Sequence, residues 1–266
     1  MKRMASALAA ATLVVVSLVG CGGSDERTGS HVSPARTKLT VFAAPSLKDA
    51  FGNLEKDFEA ANPGIDVVFT YAESKDLVTQ MSEGAQADVF APASTTWMNQ
   101  AKDKGFVPEY SSEVFAHDTL ELAVAKGNPK NIEDLEDLAA RPELVTVRCA
   151  SEVPCGEATD QLVRNAFLDD LHFDTEKESS RGTLELLTAG EADAAIVYES
   201  DVASAEDTVD GVDLAGAQLY TNTYEIAVTK DAKESTRSEA AQKFVDLVLS
   251  LEGQVTIADA GFRPVK

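Results

Sequence analysis

The chain has 266 residues, with 45 acidic and 23 basic side chains and a formal net charge of −22. Neutralising the phosphates of nucleic acid takes a basic surface, so this excess of acid excludes a nucleic-acid-binding function. With 44% hydrophobic and 26% charged residues, the composition is globular and excludes a wholly disordered chain. The length suits one large domain or two lobes.

The first twenty residues have the pattern of a secretory signal. Lys2 and Arg3 form a basic start, and residues 5–18 form an apolar run that is too short to cross a bilayer. Small residues then precede Cys21, as in the lipobox of bacterial lipoproteins. We therefore predict a lipoprotein signal peptide at residues 1–20 and lipidation of Cys21, with a plain cleavage site beside an incidental cysteine as the alternative.

Residues 21–36 are rich in Gly, Ser, Thr and charge and have no apolar periodicity, which predicts a lipidated, flexible tether. His31 lies in this stretch without a neighbouring His or Cys, so we interpret it as a solvated residue rather than a metal ligand. No later segment has the length of a membrane span. We expect a body held at the extracytoplasmic face of the cell membrane by its lipid anchor.

Cys149 and Cys155 remain in the body. An exported protein meets an oxidising environment, so a disulfide across this short loop is the favoured interpretation, and Pro154 within the loop would add rigidity. A metal site is the weaker alternative because no further ligand is nearby. A cysteine nucleophile would need a His partner, and nothing in the sequence brings His117 or His172 to this loop.

Short strands alternate with amphipathic helices from residue 37 onward. In the first half, strands are predicted at residues 39–44, 66–71 and 87–91, with helices after Pro45-Ser46, from Lys75 and around Trp97. Such alternation predicts parallel strands joined by right-handed crossovers. Strands then follow at residues 119–125, 145–147, 194–198 and 224–229, and helices open at residues 132–135 and cover residues 156–167 and 235–251.

This order predicts an α/β protein with two lobes. We assign residues 37–122 and 227–266 to lobe 1 and residues 123–226 to lobe 2, with a ligand cleft between them. We expect the ligand-binding residues where strands end and helices begin, because unpaired N–H groups and the helix dipole favour an anion there. Ser46 and Ser74 stand at two such junctions, where a serine can also be a simple N-cap. A third junction spans residues 153–156.

Several segments resemble the periplasmic molybdate-binding proteins of ATP-driven importers, which have the type II periplasmic-binding-protein fold. They are LTVFAAPSL at residues 39–47, Ser74 before a helix, ADVF at 87–90, VPCG at 153–156, and GEADAAIVY at 190–198 with Asp201. The resemblance runs from Thr37 to Lys266. It implies a monomeric binding protein without a cofactor or a reaction of its own, and an ABC-type permease with its ATPase as partners.

The resemblance also implies the ligand-binding residues. Ser46 and Ser74 match two hydroxyl donors, and Cys155 matches a backbone N–H donor at a position where the family usually has a small residue. Ser180 matches another backbone donor, and Tyr198 matches a phenol donor at a strand end. Together these positions predict a site of uncharged donors drawn from both lobes.

A donor-only site would favour a fully deprotonated dianion such as molybdate, because hydrogen phosphate carries a proton that needs an acceptor. Sulfate must be excluded by size, and tungstate nearly matches molybdate in shape, so it is expected to bind as well. Sulfate or ferric iron in the same fold is the alternative. A secreted hydrolase has little support, because the chain has no Gly-x-Ser-x-Gly elbow, Ser-His-Asp set or metal-ligand cluster.

Arg148 and Arg181 lie close in sequence to the predicted donors. Either could add charge to the site, but pairing with a nearby carboxylate such as Glu152 or Glu178 is favoured. The acidic clusters at residues 133–137 and 169–170 lack a calcium-loop pattern and are interpreted as solvated faces.

Overall fold

A computed structural model describes residues 36–265. The predicted signal peptide, Cys21 and His31 lie outside the described residues, as does the tether except for Arg36. Arg36 pairs with Glu59 at 2.6 Å and with Asp66 at 3.3 Å. It is therefore joined to the folded body, although the sequence assigned it to the tether.

Strands and helices alternate along the chain. The first half contains β1 (Thr37–Ala43), α1 (Lys48–Ala61), β2 (Ile65–Tyr71), α2 (Ser74–Ser82), β3 (Val89–Ala91), α3 (Thr95–Asp103), β4 (Ser112–Asp118) and β5 (Leu120–Ala125). The middle contains α4 (Leu135–Ala140), β6 (Thr146–Cys149), α5 (Pro154–Asn165), β7 (Thr175–Lys177), α6 (Ser180–Thr188), β8 (Ala194–Tyr198), α7 (Glu199–Ala203) and β9 (Val209–Asp213). The chain continues with β10 (Asn222–Val228), α8 (Lys230–Lys233), α9 (Ser238–Leu249), α10 (Leu251–Asp259) and β11 (Arg263–Pro264).

The first lobe is built on a six-stranded sheet with the order β11-β4-β10-β3-β1-β2. β1 pairs in parallel with β2 and β3, as the strand-helix alternation predicts, whereas β10 runs antiparallel to β3 and β4. Helices α1 and α9 cover this sheet with an aromatic core. Phe244 meets Phe51 and Phe58 edge-to-face, with ring centroids 5.7 and 5.4 Å apart. Such contacts pack α1 and α9 against each other.

The second lobe is built on a five-stranded sheet with the order β7-β6-β8-β5-β9. β6 is parallel to β7 and β8, and β5 is antiparallel to β8 and β9. The two-lobed α/β architecture is thus the predicted one. None of the helices in the described part of the chain has the length and apolar character needed to span a bilayer.

The chain passes between the sheets at two places. It leaves the first sheet at Thr119, since β4 ends at Asp118 and β5 pairs wholly within the second sheet. It returns between β9 and β10. Both passages come slightly earlier in the chain than the predicted lobe boundaries at residues 122/123 and 226/227. The predicted boundaries divide strands that pair as units, which hydropathy alone does not show.

Several predicted elements needed correction at their ends. The helix predicted over residues 235–251 is broken at Ser250, which has an extended backbone. Its hydroxyl caps α10 by accepting from the Gly253 N–H at 3.0 Å. The helix predicted to open at residue 132 begins at Leu135, where Asp134 is the N-cap. α5 begins at Pro154, before the predicted start. Proline is well tolerated in a first helical turn because it has no N–H to satisfy there.

Candidate functional site

A cavity of about 320 Å³ lies between the two sheets, where strands end and helices begin. It is lined from both lobes. All five predicted ligand-binding residues reach it: Ser46, Ser74, Cys155, Ser180 and Tyr198. The structure therefore brings together residues that are up to about 150 positions apart in the chain, because each follows the carboxyl end of a strand.

The two serines of the first lobe are not ordinary helix caps. Ser46 lies in a 3-10 turn between β1 and α1, and its Oγ is 3.1 Å from the phenol oxygen of Tyr224. Ser74 is the first residue of α2, and its Oγ accepts from the backbone N–H of Ala93 at 2.9 Å. Neither side chain caps its own helix, so the simple capping interpretation fails for both. Each hydroxyl has a partner outside its helix, and Ser74, which accepts from a backbone N–H, keeps its own proton to donate.

Cys155 offers a backbone donor at the start of α5. Pro154 has no N–H, and the N–H groups of Gly156 and Glu157 both donate to the Val153 carbonyl, at 2.9 and 3.0 Å. Among the described residues, nothing accepts from the Cys155 N–H. It is thus the free first-turn donor of a twelve-residue helix, at the end where the helix dipole favours an anion.

Ser180 holds the equivalent place in α6. The preceding Ser179 is the N-cap, and its hydroxyl accepts from the Gly182 N–H at 3.1 Å. Ser180 is therefore free of the capping role. Its backbone N–H lies in the first turn of the helix, where no intrahelical acceptor exists.

Tyr198 ends β8 and is only 5% exposed. Its phenol oxygen is buried and has no hydrogen-bond partner among the described residues. Burial, reinforced by nearby Tyr224 and Asp118, raises the pKa of Tyr198 well above its usual range. The hydroxyl therefore keeps its proton, and a buried O–H without an acceptor is a costly group that a bound anion would satisfy.

Two buried carboxyls lie close to Tyr198. Asp118 accepts from the Ser200 hydroxyl at 2.6 Å, and Asp201 accepts from the Tyr198 N–H at 3.3 Å. Burial raises the pKa of Asp118 well above its usual range, with a further contribution from Asp201. Burial also raises the pKa of Asp201, against the opposing effects of Ser180 and a nearby guanidinium. Both carboxyls therefore hold a proton more readily than an exposed aspartate does.

Arg181 is the guanidinium at the cavity wall. Its Nη2 atom lies 2.7 Å from Asp49 Oδ2, and its Nε atom lies 3.9 Å from Asp201 Oδ1. The residue is paired with carboxylates, as predicted, but not with Glu178. It also lines a second cavity of about 280 Å³. Because α6 and α1 belong to different lobes, the pair with Asp49 bridges the cleft.

Arg148 does not line the cavity. It is buried on β6, where its Nη1 atom donates to Asp160 at 2.7 Å. Its Nε and Nη2 atoms donate to the carbonyls of Cys149 and Gly156, at 2.8 and 2.9 Å. The predicted partner Glu152 is not the one that it binds. Arg148 ties β6 to the first turn of α5.

Cys149 and Cys155 are placed at bonding distance, with Cα atoms 5.8 Å apart. This spacing is typical of a disulfide. The bond would join the end of β6 to the α5 turn that carries the backbone donor. His117 and His172 do not reach it: His117 Nδ1 instead contacts the Thr223 hydroxyl at 3.1 Å.

Acidic side chains surround the uncharged donors at the cavity wall. Burial raises the pKa of Glu73, as does the neighbouring Asp76. Glu152 and Glu178 also line the cavity. Within residues 36–265, no group of three or more His, Cys, Asp or Glu side chains is arranged to hold a metal ion. Lys75 and Arg181 line the same cavity, so side chains of both charges surround the uncharged donors.

Tyr224 and Asn222 are cavity residues that the sequence did not reveal. The sequence placed Tyr224 at the start of a strand and did not assign it to the anion site. Both lie on β10, and residues two apart on a strand share a face. Polar side chains at this spacing on a strand that returns to the first lobe were the available signal. Asn222 also donates to the carbonyl of Ala93, the residue whose N–H donates to Ser74.

Comparison with known proteins adds to this geometry. A family profile described as "Bacterial extracellular solute-binding protein" matches residues 39–263. The chain is 36% identical over 252 residues to the molybdate-binding protein ModA of Mycobacterium tuberculosis, with 94% of each chain covered.

Solved structures share the fold. The substrate-binding domain of a putative molybdenum ABC transporter from Clostridium difficile aligns with a TM-score of 0.73 and 23% identity, covering 86% of this chain and all of that one. The sulfate-binding protein SubI of Mycobacterium tuberculosis aligns with a TM-score of 0.72 and 21% identity, covering 87% of this chain and 88% of that one. At such identities the likeness concerns the fold, so the anion must be argued from the site.

Proposed function

Because this chain belongs to the bacterial extracellular solute-binding protein family, we propose that it captures molybdate outside the cytoplasm and delivers it to the permease of an ABC importer. Members of this family bind solutes for transport and are not enzymes. The 36% identity to a molybdate-binding relative along nearly the whole chain supports this choice of ligand.

The proposal rests on one observation: several uncharged hydrogen-bond donors line the same cavity. Ser74 keeps a hydroxyl proton, Cys155 a backbone proton and Tyr198 a buried phenol proton, and Ser46 brings a further hydroxyl to the same cavity. Hydrogen bonds to an ionised acceptor are about twice as strong as neutral ones. Several of them, supported by helix N-termini, can hold a dianion without an opposite full charge.

The same donors suit other fully deprotonated tetrahedral anions. We therefore include tungstate as a second ligand and keep sulfate as the alternative, since a sulfate-binding protein has this fold. Ferric iron is less well supported. Its phenolate ligands must lose their protons, whereas burial raises the pKa of both Tyr198 and Tyr224.

Isothermal titration of the full chain in detergent against molybdate, tungstate, sulfate, phosphate and ferric citrate tests the proposal. We expect tight binding of molybdate and tungstate, weaker binding of sulfate, and none of phosphate or iron. Binding of sulfate in preference to molybdate would move the assignment to a sulfate receptor. Binding of iron alone would overturn it.

The remaining assignments are part of the same proposal. Cys21 carries the lipid that anchors the protein to the extracytoplasmic face of the membrane, after cleavage of residues 1–20. The body acts as a monomer that docks on the permease and, through it, on the ATPase. Cys149 and Cys155 form a disulfide in the oxidising environment outside the cell, which supports the Cys155 donor.

A further inference from the structure

Tyr224 is buried beneath Ser46 and is 1% exposed. Its phenol oxygen lies 3.1 Å from Ser46 Oγ, and by distance alone either group could be the donor. Two observations give the bond a direction: the buried phenol proton needs an acceptor, and Ser74 shows a parallel arrangement.

The phenol keeps its proton. Burial raises the pKa of Tyr224 well above its usual range, and the nearby carboxyl of Asp118 adds to this effect. A buried O–H must find an acceptor, and Ser46 Oγ lies at hydrogen-bond distance from the phenol oxygen. Tyr224 is almost fully buried, whereas Ser46 is half-buried at the cavity and can turn its own proton towards the cavity. Ser46 Oγ is the acceptor left for the phenol proton.

Ser74 shows the same arrangement with an unambiguous direction. A backbone N–H can only donate, so the contact from Ala93 makes Ser74 Oγ an acceptor. Its hydroxyl proton is then left for the cavity. Neither Ser46 nor Ser74 has a second hydrogen-bond partner among the described residues. In both cases a protein donor occupies a lone pair of the serine and turns its proton outward.

We propose that Tyr224 is a positioning and selectivity residue that donates to Ser46 and commits the Ser46 hydroxyl to donating to the bound anion. This inference rests on the proposed function. Because the Ser46 oxygen already accepts from Tyr224 and its own proton points to the cavity, it cannot accept the proton that hydrogen phosphate carries. Tyr224 therefore favours molybdate over hydrogen phosphate without touching either anion.

The test is a double-mutant cycle on the full chain in detergent. Molybdate and phosphate affinities are measured for the wild type, Tyr224→Phe, Ser46→Ala and the double variant. Without the phenol proton, Ser46 can rotate and accept. Tyr224→Phe is expected to weaken molybdate binding about tenfold while phosphate binding is unchanged or stronger, so the ratio of the two affinities falls at least about tenfold. In the Ser46→Ala background, Tyr224→Phe is expected to leave that ratio unchanged.

Tyr71→Phe is the matched control. Like Tyr224, Tyr71 has a buried hydroxyl. The Tyr71 hydroxyl has no partner among the described residues, and Tyr71 does not line the cavity. Its variant is expected to keep both affinities at the wild-type level. Thermal unfolding of every variant separates a folding defect from a binding effect, because a folding defect would weaken both anions equally.

Two results would overturn the inference. One is an unchanged molybdate-to-phosphate ratio in Tyr224→Phe, including equal losses for both anions. The other is an effect of equal size in the Ser46→Ala background, because Tyr224 would then act on the anion directly. If the wild type binds neither molybdate nor any other oxyanion, the proposed function fails and this inference fails with it.

Discussion

A methyl group at Gly156 has no room. A Cβ atom at this position would lie 1.8 Å from the carbonyl oxygen of Ala150 and 2.9 Å from that of Cys149. Non-bonded carbon and oxygen atoms rarely approach closer than about 3.3 Å, so Gly156→Ala forces backbone apart by roughly 1.5 Å. Because the clash is with backbone, no side chain can rotate away to relieve it. The first turn of α5 must move, and the Cys155 N–H moves with it.

The magnitude follows from the two effects. Overpacking of this kind costs about 1–3 kcal/mol of stability. Loss of one hydrogen bond to a charged group costs about 1.5–3 kcal/mol of binding free energy, so molybdate affinity is expected to fall about 10- to 100-fold. Isothermal titration measures the affinity, and urea unfolding measures the stability.

Gly52→Ala is the control for the chemical change itself. Gly52 lies in α1 with nothing within 4 Å of the added Cβ, so alanine is expected to stabilise the helix by about 0.5–1 kcal/mol and to leave binding unchanged. A Gly156→Ala protein that binds molybdate as tightly as the wild type would refute the role given to the α5 turn.

Three further variants probe the cleft and its surroundings. Cys149→Ser opens a loop with a sequence separation of 6, which is expected to lower stability by about 2 kcal/mol in urea unfolding and to weaken molybdate binding, because the Cys155 turn loses its support. Asp49→Asn removes the exposed pair with Arg181 across the cleft; titration should show at most an about fivefold loss of affinity, which fades at high salt. Burial raises the pKa of Glu121 from 4.5 to about 7, so the folded protein holds this proton more tightly than the unfolded chain. The stability from this group is present below pH 4.5 and lost as the pH rises through 7, and Glu121→Gln is expected to flatten that decline in unfolding measurements.

Each of these expectations has a result that contradicts it. Equal stability of the oxidised and reduced wild-type protein would show that a disulfide does not stabilise the fold. An Asp49→Asn effect that persists in high salt would mean that the residue acts by packing rather than by charge. A Glu121→Gln protein whose stability changes with pH just as the wild type does would show that Glu121 titrates normally in the fold.

The sequence predicted those parts of the fold that depend on local pattern. The parallel strands β1, β2 and β3 were readable from β-branched runs between helices. Ser46, Ser74 and the turn at residues 153–156 were indicated by their places between a strand and a helix, whereas Ser180 and Tyr198 were predicted only through the family resemblance. The strands β4 and β9 were missed, since their exposed and charged residues hide the alternation. The break at Ser250 was missed because the apolar positions continue through it.

The rest of the site depends on contacts between distant segments. Nothing near Ser46 in the chain indicates that Tyr224 will lie against it, because their bond spans 178 positions. The partner of Arg181 was missed for the same reason. Asp49 is 132 positions away, on the other lobe, whereas the predicted Glu178 is a close neighbour in sequence.

The division of the donors between two sheets has a consequence for unloading. Ser46 and Ser74 travel with one half of the molecule, and Cys155, Ser180 and Tyr198 with the other. Ser200 on α7 donates to Asp118 at the end of β4, and this hydrogen bond joins the two halves. A small rotation that separates the halves at the cavity would leave the anion in contact with the donors of only one half and would admit water. Separation of the two halves would therefore lower the affinity for the anion without any competing ligand.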